Sequence, residues 1–219
     1  MDAAAPRVWR GQTHDGRSQV RRTQLLRAGF ELLGTEGTPG VTMRAVCRLA
    51  GLSPRYFYES FSHTDELTLE VYDRCNAELV AAIADAADTT SPIAAAIDAA
   101  AGYFEADPRR LRILLREPQS SDLLAGRRAD VLPELLTELA GSAGVTDPPI
   151  SSTVRAMHAS ALSGALTALV LDWADGRLDV SRTDLVKFAT GLVLAGLGED
   201  ASTGRARSRR RSPTPSPHT

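Results

Sequence analysis

Apolar positions recur along this chain at the three-to-four-residue spacing of amphipathic helices, interrupted by proline and glycine at regular intervals. The spacing predicts a first helix over about residues 19–34 and a compact one over Met43–Ala50. A short helix follows Ser53-Pro54, and a long one starts near Thr64. On the long helix Leu67, Val71, Cys75, Leu79, Ile83 and Ala86 form one stripe, reaching about Asp88. Ser91-Pro92 opens a fifth helix, with Ile93, Ile97, Ala100 and Phe104 on one face. Asp107-Pro108 opens a sixth, which Pro118 ends. The next begins near Ser121 and carries Leu123, Leu124, Val131, Leu135 and Leu139, with Pro133 expected to kink or divide it. After a loop over Gly141–Pro149, two long helices are expected at about 150–175 and 181–197, with Gly176 as the left-handed stop between them. The predicted fold is all-α.

The stretch from Thr42 to Leu67 is the most informative part of this pattern. Thr42 can cap the helix Met43–Ala50, and Gly51 supplies a turn that a Cβ would resist. Ser53 can accept the orphan N–H groups of the next helix, and Pro54 loses nothing at its first position. Two helices joined by a three-residue turn containing glycine are the arrangement that sets a second helix into the DNA major groove. Val41, Val46, Leu49, Leu52, Phe57 and Phe61 supply the expected core. Around Phe57 the second helix carries Arg55, Tyr56, Tyr58, Glu59 and Ser60, more polar and aromatic surface than packing alone requires. Periodicity by itself fits a helical hairpin with a solvated outer face equally well.

Charge separates the chain into regions. The formal net charge is −2, yet residues 1–64 hold nine Arg against five acids and residues 65–204 hold eleven Lys or Arg against twenty-two acids. The last fifteen residues add five Arg and no acid. Such a split suits a protein whose N-terminal part meets a polyanion. The two cysteines, Cys47 and Cys75, form neither a metal pattern nor a disulfide framework, and the four histidines have no partners at ligand spacing. No metal or cofactor is expected. The opening MDAAAPRVWRGQTHDGR has no apolar leader core, and no apolar run reaches membrane-spanning length. The expectation is a soluble cytoplasmic protein without a membrane partner.

Residues 18–67 resemble the DNA-binding domain of the TetR family of bacterial transcriptional regulators. The resemblance is carried by the helix Arg21–Thr35, Glu36-Gly37, Val41-Thr42, Val46-Cys47 and Ala50-Gly51-Leu52-Ser53. It continues through Phe57-Tyr58, Phe61 and Asp65-Glu66-Leu67. Thr64 departs from the pattern, standing where the family usually has a phosphate-touching lysine. The resemblance implies an N-terminal helix–turn–helix domain of three helices over 18–64 and a helical regulatory and dimerisation domain over 65–198. An arm over 1–17 and an Arg/Ser/Pro-rich tail over 199–219 are expected to be disordered. It also implies a homodimer, formed through the last two long helices, on a palindromic double-stranded operator. A small-molecule effector would release that DNA.

Chemistry nominates the contacts. Thr42, Ser53 and Tyr58 can donate to phosphate oxygens, and the first two also sit at helix N-termini. Arg44, Arg55 and Tyr56 are the candidates for base edges, since arginine can take guanine O6 and N7 with two bonds; Arg55 serves equally well as a phosphate clamp. Tyr103, Phe104, Leu111, Leu115, Met157 and Leu162 are candidate effector contacts, equally well explained as core. An enzyme is not expected, because the chain has no phosphate loop, nucleophile elbow or metal motif. The remaining rival is a helical interaction module.

Overall fold

The computed structural model describes residues 14–86, 89–131 and 152–208. Among these residues the structure is helical throughout, with no strand. The chain forms two compact units that divide between Asp73 and Arg74.

In the first unit, α1 runs over His14–Thr35, α2 over Met43–Ala50 and α3 over Pro54–Tyr58; α4, Thr64–Asp85, begins in this unit. A short 3-10 turn, Thr38–Gly40, leads into α2. Helix α1 packs against α2, α3 and this turn. The core contains Leu25, Leu33, Val46, Phe57, Phe61 and Leu67, all fully buried. Burying a side chain of this size contributes ~1.5–3 kcal/mol, and this shared core supports α2 and α3, which are too short to persist alone. Val41, Val46, Phe57 and Phe61 take the expected inward places. Leu52 is only half-buried, and Leu49 is 51 % exposed. Helix α2 has only two turns, and Ala45, Val46 and Cys47 already fill the face turned to the core.

Helix α1 starts at His14, several residues before the expected point. The break expected near residue 35 is made by Gly37, at φ 79°, whose N–H reaches the Leu32 carbonyl at 3.1 Å.

The second unit contains α5 over Pro92–Ala106, α6 over Pro108–Leu111, a helix over 122–131 (α7), α8 over Ser152–Ala174 and α9 over Arg182–Ser208. Asp107 caps α6 by accepting the Arg109 N–H at 3.0 Å. Helix α6 then widens into one π turn, Arg112–Arg116, and Pro118 closes it within the 3-10 turn Glu117–Gln119. Helix α5 packs against α6 and α9, and α8 packs against α9 and the π turn. The stripe of α4 is buried at Leu67, Val71, Cys75, Leu79 and Ile83 as expected, but the helix ends at Asp85 and Ala86, in the turn beyond it, is half-buried. On α5 the buried side chains are Ala101, Tyr103 and Phe104, so the packed face is set by the far end of the helix rather than by Ile93 and Ile97. Leu124 is fully buried on α7; Pro133, Leu135, Leu139 and the loop Gly141–Pro149 lie outside the described residues.

Gly176, at φ 70°, stops α8 as expected, with the Arg177 N–H donating to the Asp172 carbonyl at 2.9 Å. Helix α9 does not end near Leu197 but continues to Ser208. The stretch from Gly198 to Ser208 holds no proline, the next being Pro213, so no residue within it forbids helical backbone. Positions 209–219 lie outside the described residues.

Candidate nucleic-acid interface

The turn between α2 and α3 is built from three local devices. Thr42, in extended conformation, caps α2 by accepting the Ala45 N–H at 3.2 Å. Gly51 closes α2 in the left-handed region at φ 67°, ψ 30°. There its N–H donates to the Arg48 carbonyl at 3.4 Å and the Leu52 N–H to the Cys47 carbonyl at 3.0 Å, which satisfies two carbonyls that the helix end orphans. Pro54 then opens α3. Ser53 occupies the cap position but its hydroxyl makes no cap hydrogen bond, contrary to the expectation from sequence. With Pro54 next in the chain one orphan N–H is already gone, so the helix starts without it.

The nominated side chains fall on one short run of structure. Thr42, Arg44, Ser53, Arg55 and Tyr58 are exposed, and Tyr56 is half-buried. Tyr58 is 62 % exposed, and the Arg55 side chain 84 % exposed. A tyrosine left so open one residue from the fully buried Phe57 is held by that ring, which meets it edge-on at 5.7 Å. The helix thus buries one aromatic face and presents the other.

Contacts between elements, invisible to periodicity, position this face. The Arg21 guanidinium of α1 lies over the Tyr56 ring, 4.4 Å from its centre, and approaches the Glu59 carboxylate at 3.5 Å. Glu59 also accepts from Arg55 Nε at 3.0 Å. Arg22 donates to the Ser60 carbonyl at 2.5 Å, pairs with Glu70 of α4, and lies 4.2 Å over the Phe61 ring. The start of α4 is tied down by Glu66, whose carboxylate accepts the Ser62 N–H at 2.7 Å, and by His63 Nδ1, which accepts the Glu66 N–H at 3.2 Å. The Ser62 N–H holds the Glu66 carboxyl below the usual carboxylate range. The Arg55–Glu59 pair was legible as an i, i+4 spacing; the roles of Arg21 and Arg22 were not, because their partners lie more than thirty residues away.

Residues 25–71 match the model of the bacterial regulatory proteins of the tetR family. The chain carries a TetR-family DNA-binding domain. Its fold as a whole is also that of TetR-like regulators. A TetR-like transcriptional regulator from Rhodococcus sp. RHA1 aligns with 82 % of this chain and 96 % of its own, at a TM-score of 0.60 and 24 % identity. The fatty acid degradation regulator FadR from Bacillus halodurans aligns with 81 % of this chain and 95 % of its own, at 0.58 and 17 %. The multidrug binding protein EbrR, solved with imidazole, aligns with 78 % of this chain and 94 % of its own, at 0.58 and 18 %. No curated protein matches the chain. No helix among the described residues is long and apolar enough to cross a membrane, and no group of metal-ligating side chains gathers among them.

The TetR-type domain is followed by the second unit, where the candidate effector contacts do not share one setting. Tyr103, Phe104 and Leu111 are buried, with the first two rings 5.6 Å apart. Leu115 and Leu162 are half-buried, and Met157 is 65 % exposed. The Tyr103 hydroxyl donates to the Cys75 carbonyl at 2.9 Å and lies 3.2 Å from the Glu78 carboxylate, while Arg110 stacks over its ring at 4.3 Å. Burial pushes the phenol up, and it pushes the Cys75 thiol up to about 12, with the Glu78 charge adding to the shift. Within this cluster Arg110 Nε is buried without a hydrogen-bond partner.

Proposed function

We propose that this protein is a DNA-binding transcriptional regulator that reads a palindromic operator as a two-fold dimer. The observation that carries the reading is the α2–α3 unit itself. A capped two-turn helix, a left-handed glycine and a proline-started helix present Arg44, Arg55 and Tyr58 to solvent. Tyr58, Thr42 and Ser53 hold phosphate, which sets register; Arg44, with Arg55 and Tyr56, meets base edges. As a DNA-bound regulator it acts in the cytoplasm.

Dimerisation through α8 and α9 is favoured by their surface. Phe188 is 63 % exposed, Leu194 is exposed too, and Ala161, Ala165 and Ala168 leave one side of α8 small enough for close helix approach. A repressor role and release by a small molecule follow the family resemblance. EbrR, with its bound imidazole, is an example of the same fold holding a small ligand. Tyr103, Phe104, Leu111, Leu115, Met157 and Leu162 are the proposed effector contacts.

Selection of bound duplex from a random DNA pool tests the reading. The expected product is a palindrome with half-sites about one DNA turn, ~34 Å, apart or a multiple of it. Recovery of no enriched sequence would leave a helical interaction module as the better description. A palindrome whose binding no metabolite weakens would leave a dimeric DNA-binding protein without an effector.

A further inference from the structure

We propose that Glu59 is a specificity-determining residue: in the free protein it occupies Arg55 and Arg21 as a phosphate would, and so weakens binding to DNA of the wrong sequence. The proposal rests on the DNA-binding reading of α2 and α3. Its two carboxylate oxygens are both engaged: Oε1 accepts from Arg55 Nε at 3.0 Å, and Oε2 lies 3.5 Å from an Arg21 nitrogen. Arg21 in turn covers the Tyr56 ring at 4.4 Å, so one acid orders two cations and an aromatic on the presented face.

The energetics favour exchange rather than a permanent lock. Arg55 is largely exposed, so its i, i+4 pair with Glu59 is open to solvent and exchanges readily with another anion. A phosphate oxygen offered by random DNA displaces Glu59 from Arg55, and the carboxylate then stands beside the DNA backbone with Arg21 as its remaining partner. A guanine edge offers Arg55 two parallel bonds without adding a second negative charge. Glu59 therefore penalises phosphate-only binding more than base-reading binding.

The test uses the full chain with random-sequence duplex DNA and with the operator recovered by selection. Wild type, E59Q, R55A and the double variant are titrated across a salt series. E59Q is expected to raise affinity for random duplex ~3–10-fold, raise operator affinity less, and steepen the salt dependence by about one phosphate contact. In the R55A background the gain from E59Q is expected to shrink, as coupled neighbours require. Thermal melting of E59Q and of E59A confirms that the exposed substitution leaves the fold intact. An E59Q protein with wild-type affinity and salt slope on random duplex overturns the proposal. So does a gain undiminished in the R55A background, which reports through-space charge alone. A wild type that binds neither duplex overturns the DNA-binding reading and this proposal with it, and is distinguished from the other results by the wild-type titration itself.

Discussion

The guanidinium of Arg22 donates to the carbonyl of Ser60 at 2.5 Å, joining the middle of α1 to the segment between α3 and α4. The same side chain lies over Phe61 and pairs with Glu70 of α4, so one residue contacts the exit of α3, the core and the next helix. Replacing Arg22 with Met keeps its stem and removes these polar contacts. A loss of ~1–3 kcal/mol is expected, since hydrogen bonds to charged groups are worth more than neutral ones. Urea unfolding measures it. A midpoint within error of wild type would show the contacts to be incidental.

Gly29 faces α4 where there is no room for a methyl group. A Cβ built there would meet Leu67 Cδ2 at 2.5 Å and Val71 Cγ2 at 3.2 Å, and Leu67 is fully buried. Gly29→Ala should gain helix propensity but overpack this contact, with a net loss of about 1–2 kcal/mol. Thermal unfolding of the variant decides the sign, and a raised midpoint would mean that α1 and α4 can separate without cost.

Two substitutions separate the proposed contacts on DNA. Tyr58→Phe removes a phosphate donor and should weaken operator and random duplex alike. Arg44→Ala should cost ~1–3 kcal/mol on the operator and less on random sequence. Binding isotherms on both duplexes give the comparison. Equal, undiminished binding by both variants would remove α2 and α3 from the interface.

Charge placed on the proposed dimer face should split it. Ala165→Glu on α8, or Phe188→Glu on α9, would bury an unpaired carboxylate between copies, which costs several kcal/mol. Sedimentation should show a dimer for wild type and a monomer for the variants. Wild type that sediments as a monomer at micromolar concentration counts against the dimer.

Asp107 links stability to acid pH. Its hydrogen bonds and ion pair with Arg109 hold the folded carboxyl below the usual aspartate value. A depressed folded pKa means that the unfolded chain binds the proton first as pH falls. The stabilisation is therefore complete above the unfolded pKa of ~3.9 and is lost as pH drops through the lower folded value. Asp107→Asn retains a cap acceptor but not the charge, so it should flatten this part of the acid unfolding curve. Denaturant midpoints from about pH 5 downward measure the difference, and parallel curves would assign the acid sensitivity elsewhere.

The sequence by itself determined what local chemistry can encode. The Thr42 cap, the Gly51 turn, the start at Pro54, the Gly176 stop and the α4 stripe each depend on residues within a few positions of one another, and each stands in the structure as expected. The resemblance that identified the DNA-binding domain is local in the same sense, a run of residue types at fixed spacing. What the tertiary structure decided involves partners far apart in sequence. Leu49 fits the apolar pattern of α2 yet lies outside, because which side of so short a helix is buried depends on where α1 lies. Arg21 and Arg22 are adjacent and chemically alike, but one turns to Tyr56 and Glu59 and the other to Ser60, Phe61 and Glu70. Nothing in their neighbours foretells that division: successive residues on a helix point about 100° apart, and only the packing of α1 against α3 and α4 gives each direction its partner.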